Sequence, residues 1–301
     1  MSKTVILLIG HGSRNPAGNE EFLIFTDKLR ARLPGETIVP CFIELADVLI
    51  PEGIEKAVAL GATRIIAVPV ILLAAGHVKM EVPEILEHAR EKHPGVEILY
   101  TRNIGVCEQT TKMLVQRVSE AVNGAAPSDD DGVLILGRGS SDPDAAGDIA
   151  KISRLFWEAT DYERVDYAFV GVTRPDLPTG VDKLIRLGAS HVIIAPYFLF
   201  TGVLIERIRG MVTDFQTRWP DVRFSLAHYF EYHELLMDVV AERIRQGYEG
   251  EMMMACDGCI YRIEAQETHG HHHDHGHHGH DDHDDHDDHH GHDHDDHGHH
   301  H

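Results

Sequence analysis

The sequence has few cysteines, few basic residues and no long apolar run, and each shortage excludes a class of protein. Four of its 301 residues are cysteine, two of them in one Cys-x-x-Cys motif, which is not the pattern of a disulfide framework. No apolar run reaches the ~18 residues that span a bilayer, and Lys3 alone is not the charged start of a signal peptide. We therefore expect a cytoplasmic protein that does not bind or cross a membrane.

The charge balance is acidic, with 27 lysines and arginines against 49 aspartates and glutamates, a formal net charge of -22. Residues 269–301 hold ten of those acids and no base, so residues 1–268 carry 39 acids against 27 bases, or -12. A body of this charge argues against a nucleic-acid partner, although it allows a local basic pocket.

Apolar runs alternate with stretches of helical periodicity along the first half of the chain. Strands are predicted at residues 4–9, 37–43, 64–73 and 97–100, and helices at 18–33, 51–60, 79–92 and 107–122. Such alternation is typical of a parallel sheet with helices on both faces.

The same pattern restarts near residue 133, and residues 187–196 match residues 60–69 almost literally. We therefore predict an α/β protein of two duplicated lobes, each a parallel four-stranded sheet flanked by helices. The predicted divisions are an N-terminal lobe at 1–123, a linker at 124–132, a C-terminal lobe at 133–248, a Cys-x-x-Cys segment at 249–268 and a disordered His-rich tail at 269–301.

One residue with metal-ligand chemistry follows each of the first three predicted strands: His11, Glu44 and His77. The carboxyl ends of parallel strands meet at one edge of the sheet, so these side chains can converge. Two imidazoles and a carboxylate suit cobalt, iron or zinc with coordination positions left open. The same groups could instead carry out general acid–base chemistry.

The second half provides an internal control for this interpretation. Arg138, Gly171 and Val203 stand at the positions equivalent to His11, Glu44 and His77, so the three polar groups are lost together. A glycine-rich turn after a strand often cradles phosphate, but here the glycines recur in both halves and the histidine does not. This difference favours a site that occurs once per chain.

Three segments, at residues 10–14 (GHGSR), 42–46 (FIELA) and 74–78 (AAGHV), resemble the class II tetrapyrrole chelatases. Among these, the chain is similar to the long, duplicated sirohydrochlorin cobaltochelatases. The resemblance implies two chelatase-like lobes around a cleft, in which cobalt(II) enters sirohydrochlorin during anaerobic cobalamin biosynthesis without a nucleotide. It also implies that His11 and His77 bind the metal and that Glu44 is the carboxylate on the metal side.

A macrocycle with eight carboxylates requires basic residues around the cleft. The candidates are Arg14 and Arg138 beside the two matching turns and Lys79 just after His77, with Ser13 in the first turn. Glu81 lies one helical turn after His77 and could orient it or pass on a proton.

Cys256 and Cys259 form the Cys-x-x-Cys motif, whose uses include an iron–sulfur cluster, a zinc site or a redox dithiol. Two cysteines cannot complete a four-thiolate site, so other ligands would have to come from a second subunit, from other residue types, or from Cys41 and Cys107. The resemblance favours the cluster, and sharing it between subunits would make an oligomer.

The tail at residues 269–301 contains 18 of the 25 histidines, interleaved with aspartate and glycine. We expect it to be disordered without metal and to act as a metal reservoir or delivery arm. Two other functions compete with cobalt insertion: a sirohydrochlorin ferrochelatase with the same fold and site, and a non-catalytic metal storage protein in which the tail is the functional part.

Overall fold

Eight parallel strands form two separate four-stranded sheets in the computed structural model, which describes residues 3–250. The strands are β1 (Thr4–Gly10), β2 (Ile38–Phe42), β3 (Arg64–Pro69), β4 (Glu97–Tyr100), β5 (Asp131–Gly137), β6 (Arg164–Phe169), β7 (His191–Pro196) and β8 (Arg223–Leu226). The strand orders are β2-β1-β3-β4 and β6-β5-β7-β8, so both halves have the same topology. This confirms the predicted duplicated α/β fold.

Helices connect the strands in both halves. Within residues 3–250 they are α1 (Pro16–Arg32), α2 (Ile50–Ala59), α3 (Val82–Lys92), α4 (Glu108–Ala121), α5 (Pro143–Glu158), α6 (Leu177–Arg186), α7 (Val203–Arg218) and α8 (Glu234–Glu249). Asn15 and Asp142 cap the equivalent helices α1 and α5, each accepting a backbone N–H two residues on. None of the helices in this part of the chain could cross a bilayer.

The central strand β1 is buried on both of its faces, as its continuous apolar run predicts. Val5 to Ile9 have no exposed surface. Ile6 and Leu8 contribute to a core that also contains residues of the second half, whereas Leu7 and Ile9 contribute to the core beneath α2 and α3. Burial on both faces is characteristic of parallel sheets.

In the inner layer between the two halves, a helix of each half packs against elements of the other half. Helix α4 of the first half packs on β7 and α5 of the second, and α8 of the second half packs on β3 of the first. Arg243 on α8 donates to the carbonyl oxygens of Asn103 and Ile104 at 3.0 and 2.9 Å. One hydrophobic cluster therefore runs through both halves and holds their relative placement.

Several element boundaries differ from those predicted, and β3 ends at Pro69 rather than at residue 73. One π-helical turn, His77–Glu81, precedes α3 and places residue 77 inside the helical segment rather than before it. Strand β5 begins at Asp131, two residues before residue 133, where the sequence pattern restarts. These differences lie at the ends of elements. There the local sequence pattern does not determine the last residue, and pairing with neighbouring elements does.

Two helical glycines allow the packing of α8 to be tested. A Cβ on Gly247 would lie 2.4 Å from Ile66 Cγ2 and 3.0 Å from Thr101 Cγ2, whereas a Cβ on Gly210 in α7 would meet nothing within 4 Å. We expect Gly247→Ala to lower the free energy of unfolding by about 1–3 kcal/mol through overpacking. Gly210→Ala should raise it by about 0.5–1 kcal/mol through helix propensity. Urea unfolding of both variants measures the two signs, and a stabilising Gly247→Ala would contradict this packing.

Candidate metal centre

The carboxyl ends of β1 and β2 place His11 beside Glu44. The Glu44 N–H donates to the His11 carbonyl at 3.1 Å, and the Ile43 N–H donates to the Gly10 carbonyl at 3.0 Å, which continues the pairing past both strands. Gly12 makes this approach possible, because it has a φ of +91° and a Cβ there would lie 1.7 Å from the Glu44 carbonyl oxygen. The turn after β1 is therefore shaped around the residue that follows β2.

His77 completes the group from the segment after β3. One nitrogen each of His11 and His77 and one Glu44 carboxylate oxygen lie within 4.8 Å of one another. Glu44 Oε1 is 3.8 Å from His11 Nδ1 and 4.0 Å from His77 Nε2, and the two rings stand edge to face with centroids 5.3 Å apart. All three side chains are 29–42% exposed. The geometry suits a divalent ion held by an incomplete, accessible ligand set.

Glu81 holds the imidazole of His77 from the side away from Glu44. Its Oε2 lies 2.5 Å from His77 Nδ1 across the single π-helical turn. A carboxylate on one ring nitrogen fixes the imidazole and leaves the other nitrogen for a metal, the usual arrangement behind a metal-binding histidine. This contact supports the predicted role of Glu81 in orienting His77.

His11 contacts Arg138 from the opposite half of the chain. Its Nε2 is 3.2 Å from Arg138 Nη1, and its Nδ1 is 3.1 Å from the Gly12 carbonyl oxygen. Burial, and secondly the positive charge of Arg138, lowers the pKa of His11. His11 therefore remains neutral, and able to bind a metal, to a lower pH than a free imidazole.

Lys79 is fully engaged by the second half. Its Nζ donates to Asp142 Oδ2 at 2.6 Å and to Asp144 Oδ2 at 2.8 Å. Burial alone would lower the pKa of Lys79, but the hydrogen bonds to these two carboxylates outweigh it and raise the pKa. Sequence reasoning missed both aspartates, whose only signal is that they open the helix equivalent to α1.

The other predicted substrate residues lie at the first turn. Ser13 Oγ accepts the Asn15 N–H at 3.1 Å, and the Ser13 carbonyl accepts the Asn19 side-chain amide at 2.9 Å. Arg14 is exposed beside them. Ser13 therefore supports the start of α1, and its hydroxyl and the Arg14 guanidinium are both groups that can donate a hydrogen bond to a carboxylate.

Two apolar residues beside this site went unnoticed in the sequence. Leu45 and Val172 occupy equivalent positions, directly after Glu44 and Gly171, and both have positive φ values of 61° and 64°. Their exposed fractions are 49% and 81%. A positive φ is costly for a residue other than glycine, and backbone strain of this kind clusters at active sites and ligand-binding sites.

The cysteines divide between the described body and the segment beyond it. Cys41 is buried in β2, where burial raises the pKa of its thiol, and Cys107 is the N-cap residue of α4. A thiol with a raised pKa is a poor metal ligand. Cys256, Cys259 and the His-rich tail lie outside the described residues.

The family model, the related sequences and a solved structure that resembles this chain all indicate the same protein family. The family described as CbiX matches the chain twice, over residues 5–121 and 132–247. Sirohydrochlorin cobaltochelatase of Priestia megaterium is 44% identical over 269 residues, covering 88% of this chain and 87% of that protein. Sirohydrochlorin ferrochelatase of the same organism is 32% identical over 240 residues, covering 80% and 89%. The solved structure of SirB from Bacillus subtilis with Fe3+ has a TM-score of 0.72 at 30% identity, covering 83% and 98%.

The influence of Arg138 on His11 can be measured by titration. Arg138→Met should raise the pKa of His11, because the neighbouring positive charge is removed while burial remains. The imidazole of His11 should therefore become protonated at a higher pH in the variant than in the unmodified chain. Proton NMR of the imidazole Cε1–H against pH measures this, with His11→Ala identifying the signal. An unchanged or lower pKa of His11 would contradict the assigned contact.

Proposed function

Because the chain belongs to the CbiX family, we propose that it inserts cobalt(II) into sirohydrochlorin. The observation that carries the proposal is the group His11, Glu44 and His77, which occurs in one half and is replaced in the other by Arg138, Gly171 and Val203. The 44% identity to a sirohydrochlorin cobaltochelatase over most of both chains supports the choice of metal and macrocycle.

The chemistry requires the macrocycle to lose two pyrrole protons while the metal sheds water and enters the ring plane. His77 Nε2 points toward Glu44 while Glu81 holds its other nitrogen, so it can offer the metal one fixed ligand. His11 is neutral at physiological pH and has a lone pair for the metal or for a proton. Glu44 lies between both imidazoles and can accept the second proton. Three half-exposed ligands hold an ion loosely enough to release it.

The division of the chain into lobes gives each a separate task in this proposal. The predicted N-terminal lobe at 1–123 contributes the metal-side residues, and the lobe at 133–248 presents Arg138 opposite them. Arg138 and Arg14 are placed to bind carboxylates of the macrocycle, and the Ser13 hydroxyl can donate to one. Lys79 can bind a carboxylate of the macrocycle only if it releases Asp142 or Asp144. Asp144 is the more exposed of the two aspartates.

The main alternative is iron insertion by the same site. The 32% identical sirohydrochlorin ferrochelatase and the SirB structure with Fe3+ share the fold and favour it. A group of two imidazoles and one carboxylate accommodates either metal. A storage protein, the second alternative, would explain the tail but not the placement of three ligands in one half only.

Single substitutions at the candidate ligands test the proposal directly. We expect His11→Ala and His77→Ala to slow cobalt insertion roughly 100-fold or more, since even groups behind metal ligands contribute about 10- to 100-fold. His88→Ala, on the exposed side of α3, is the matched control and should keep full activity. The absorption spectrum of sirohydrochlorin with cobalt(II) follows conversion.

Parallel assays with iron(II) separate the alternatives. Faster conversion with iron(II) than with cobalt(II) at equal concentration would favour the ferrochelatase. Metal uptake without any change in the macrocycle spectrum would favour storage and contradict both chelatase proposals. Retained activity in His11→Ala would contradict the assigned ligand set.

For the C-terminal region we propose metal delivery by the tail at 269–301 and an iron–sulfur centre at Cys256 and Cys259, both on the basis of the sequence and its resemblance. Imidazole and carboxylate bind cobalt, nickel, copper and zinc with little selectivity, which suits a reservoir. With two cysteines in this motif, a cluster would need further ligands, and a second subunit is one source.

Deleting residues 269–301 should lower the number of cobalt ions bound per chain, because 18 histidines are removed. Turnover at saturating cobalt should change little, since the ligands of the body remain. Equilibrium dialysis and the absorption assay measure the two quantities. A truncated protein without turnover at saturating cobalt would contradict this division of tasks.

A further inference from the structure

The hydrogen bond between Arg138 and His11 occupies the lone pair that a metal would need. A guanidinium has only N–H donors and no acceptor, so at the 3.2 Å contact Arg138 donates and His11 Nε2 accepts. A neutral imidazole has one nitrogen lone pair with which to bind a metal, and in this contact that lone pair is the one on Nε2. An Arg138 hydrogen bond and a metal bond at Nε2 therefore exclude each other.

The other nitrogen of His11 offers no substitute while the ring keeps this orientation. Because Nε2 is the acceptor in the neutral ring, Nδ1 carries the proton, and it lies 3.1 Å from the Gly12 carbonyl oxygen. The Gly12 carbonyl belongs to the turn held against Glu44, so the ring is fixed by backbone. The proton thus lies on Nδ1, the nitrogen 3.8 Å from Glu44 Oε1, and neither nitrogen of the neutral ring has a free lone pair while Arg138 donates to Nε2.

Arg138 has little else to hold it in place. Its side chain is exposed, and among residues 3–250 it forms no ion pair with a carboxylate. Lys79, which also contacts the opposite half, differs because Asp142 and Asp144 already bind it. A guanidinium binds a carboxylate with two charge-assisted hydrogen bonds, which are stronger than one bond to a neutral imidazole. A carboxylate of an incoming macrocycle would therefore draw Arg138 away from His11.

We propose that Arg138 is a positioning residue that covers His11 Nε2 until a substrate carboxylate displaces it, so that macrocycle binding opens the metal site. This rests on the proposed function, in which the substrate is a polycarboxylate macrocycle. The consequence is coupling: the macrocycle strengthens metal binding at His11, and Arg138 transmits that effect. The order of binding is then macrocycle first and metal second.

Arg138→Met tests the proposal, because methionine keeps an unbranched side chain but cannot donate a hydrogen bond. The control is Arg186→Met on α6, where the arginine is 78% exposed and pairs with Asp182, so that the same charge is lost elsewhere in the same half. Cobalt(II) binding without macrocycle is measured on the full chain at about pH 8, where imidazoles are neutral. Subtracting the isotherm of the same variant with His11→Ala removes binding by the tail.

We expect His11-dependent cobalt affinity to rise about tenfold in Arg138→Met, the effect of one hydrogen bond to a charged group. It should not change in Arg186→Met. Arg138→Lys keeps the positive charge but has a shorter side chain without a guanidinium. Its His11-dependent cobalt affinity should lie between those of Arg138→Met and Arg186→Met. Equal or weaker cobalt binding in Arg138→Met would overturn the competition.

Steady-state kinetics test the coupling separately. In the unmodified chain the apparent KM for cobalt(II) should fall as sirohydrochlorin approaches saturation. In Arg138→Met the apparent KM for cobalt(II) should be low at every sirohydrochlorin concentration, while the KM for sirohydrochlorin rises. If the apparent KM for cobalt(II) depended on sirohydrochlorin concentration in the same way in both proteins, the proposed binding order, macrocycle before metal, would be overturned. Absence of any cobalt insertion in the unmodified chain would instead contradict the proposed function, whereas the binding isotherms would still decide whether Arg138 covers His11.

Discussion

The parallel pairing of β1 between β2 and β3 is the constraint on which the site depends. It brings the carboxyl ends of all three strands to one edge, and two further backbone hydrogen bonds carry the pairing on to His11 and Glu44. The backbone thus positions the three half-exposed side chains of His11, Glu44 and His77 close to one another. No other residue can replace Gly12 in this geometry, because a Cβ at this position would collide with the Glu44 carbonyl oxygen.

Duplication separates what belongs to the scaffold from what belongs to the chemistry. Gly12 and Gly139 share a φ of +91°, and a Cβ on either would lie within 1.8 Å of a carbonyl oxygen, so the turn is the same in both halves. The side chain before it differs: a histidine in one half and an arginine in the other. The same backbone turn thus presents an imidazole in one half and a guanidinium in the other, which is the pair of groups that the proposed joining of a metal to an anionic macrocycle requires.

The inner helices decide how these two turns face each other. Because α4 and α8 each pack against the sheet of the opposite half, the halves share one hydrophobic layer rather than meeting at a polar surface. This layer fixes the distance at which Arg138 reaches His11 and Lys79 reaches Asp142. Small movements of the halves would break those polar contacts long before they disturbed the shared core, so the contacts are the part of the interface that substrate can alter.

The sequence by itself determined the duplicated α/β fold and the edge at which His11, Glu44 and His77 meet. Both follow from local rules: a continuous apolar run specifies a strand buried on both faces, and parallel strands end at one edge. Tertiary structure alone decided that α4 and α8 cross between halves, that Lys79 is held by Asp142 and Asp144, and that Arg138 donates to His11. These contacts join residues more than 60 positions apart through side-chain packing, which no local periodicity encodes.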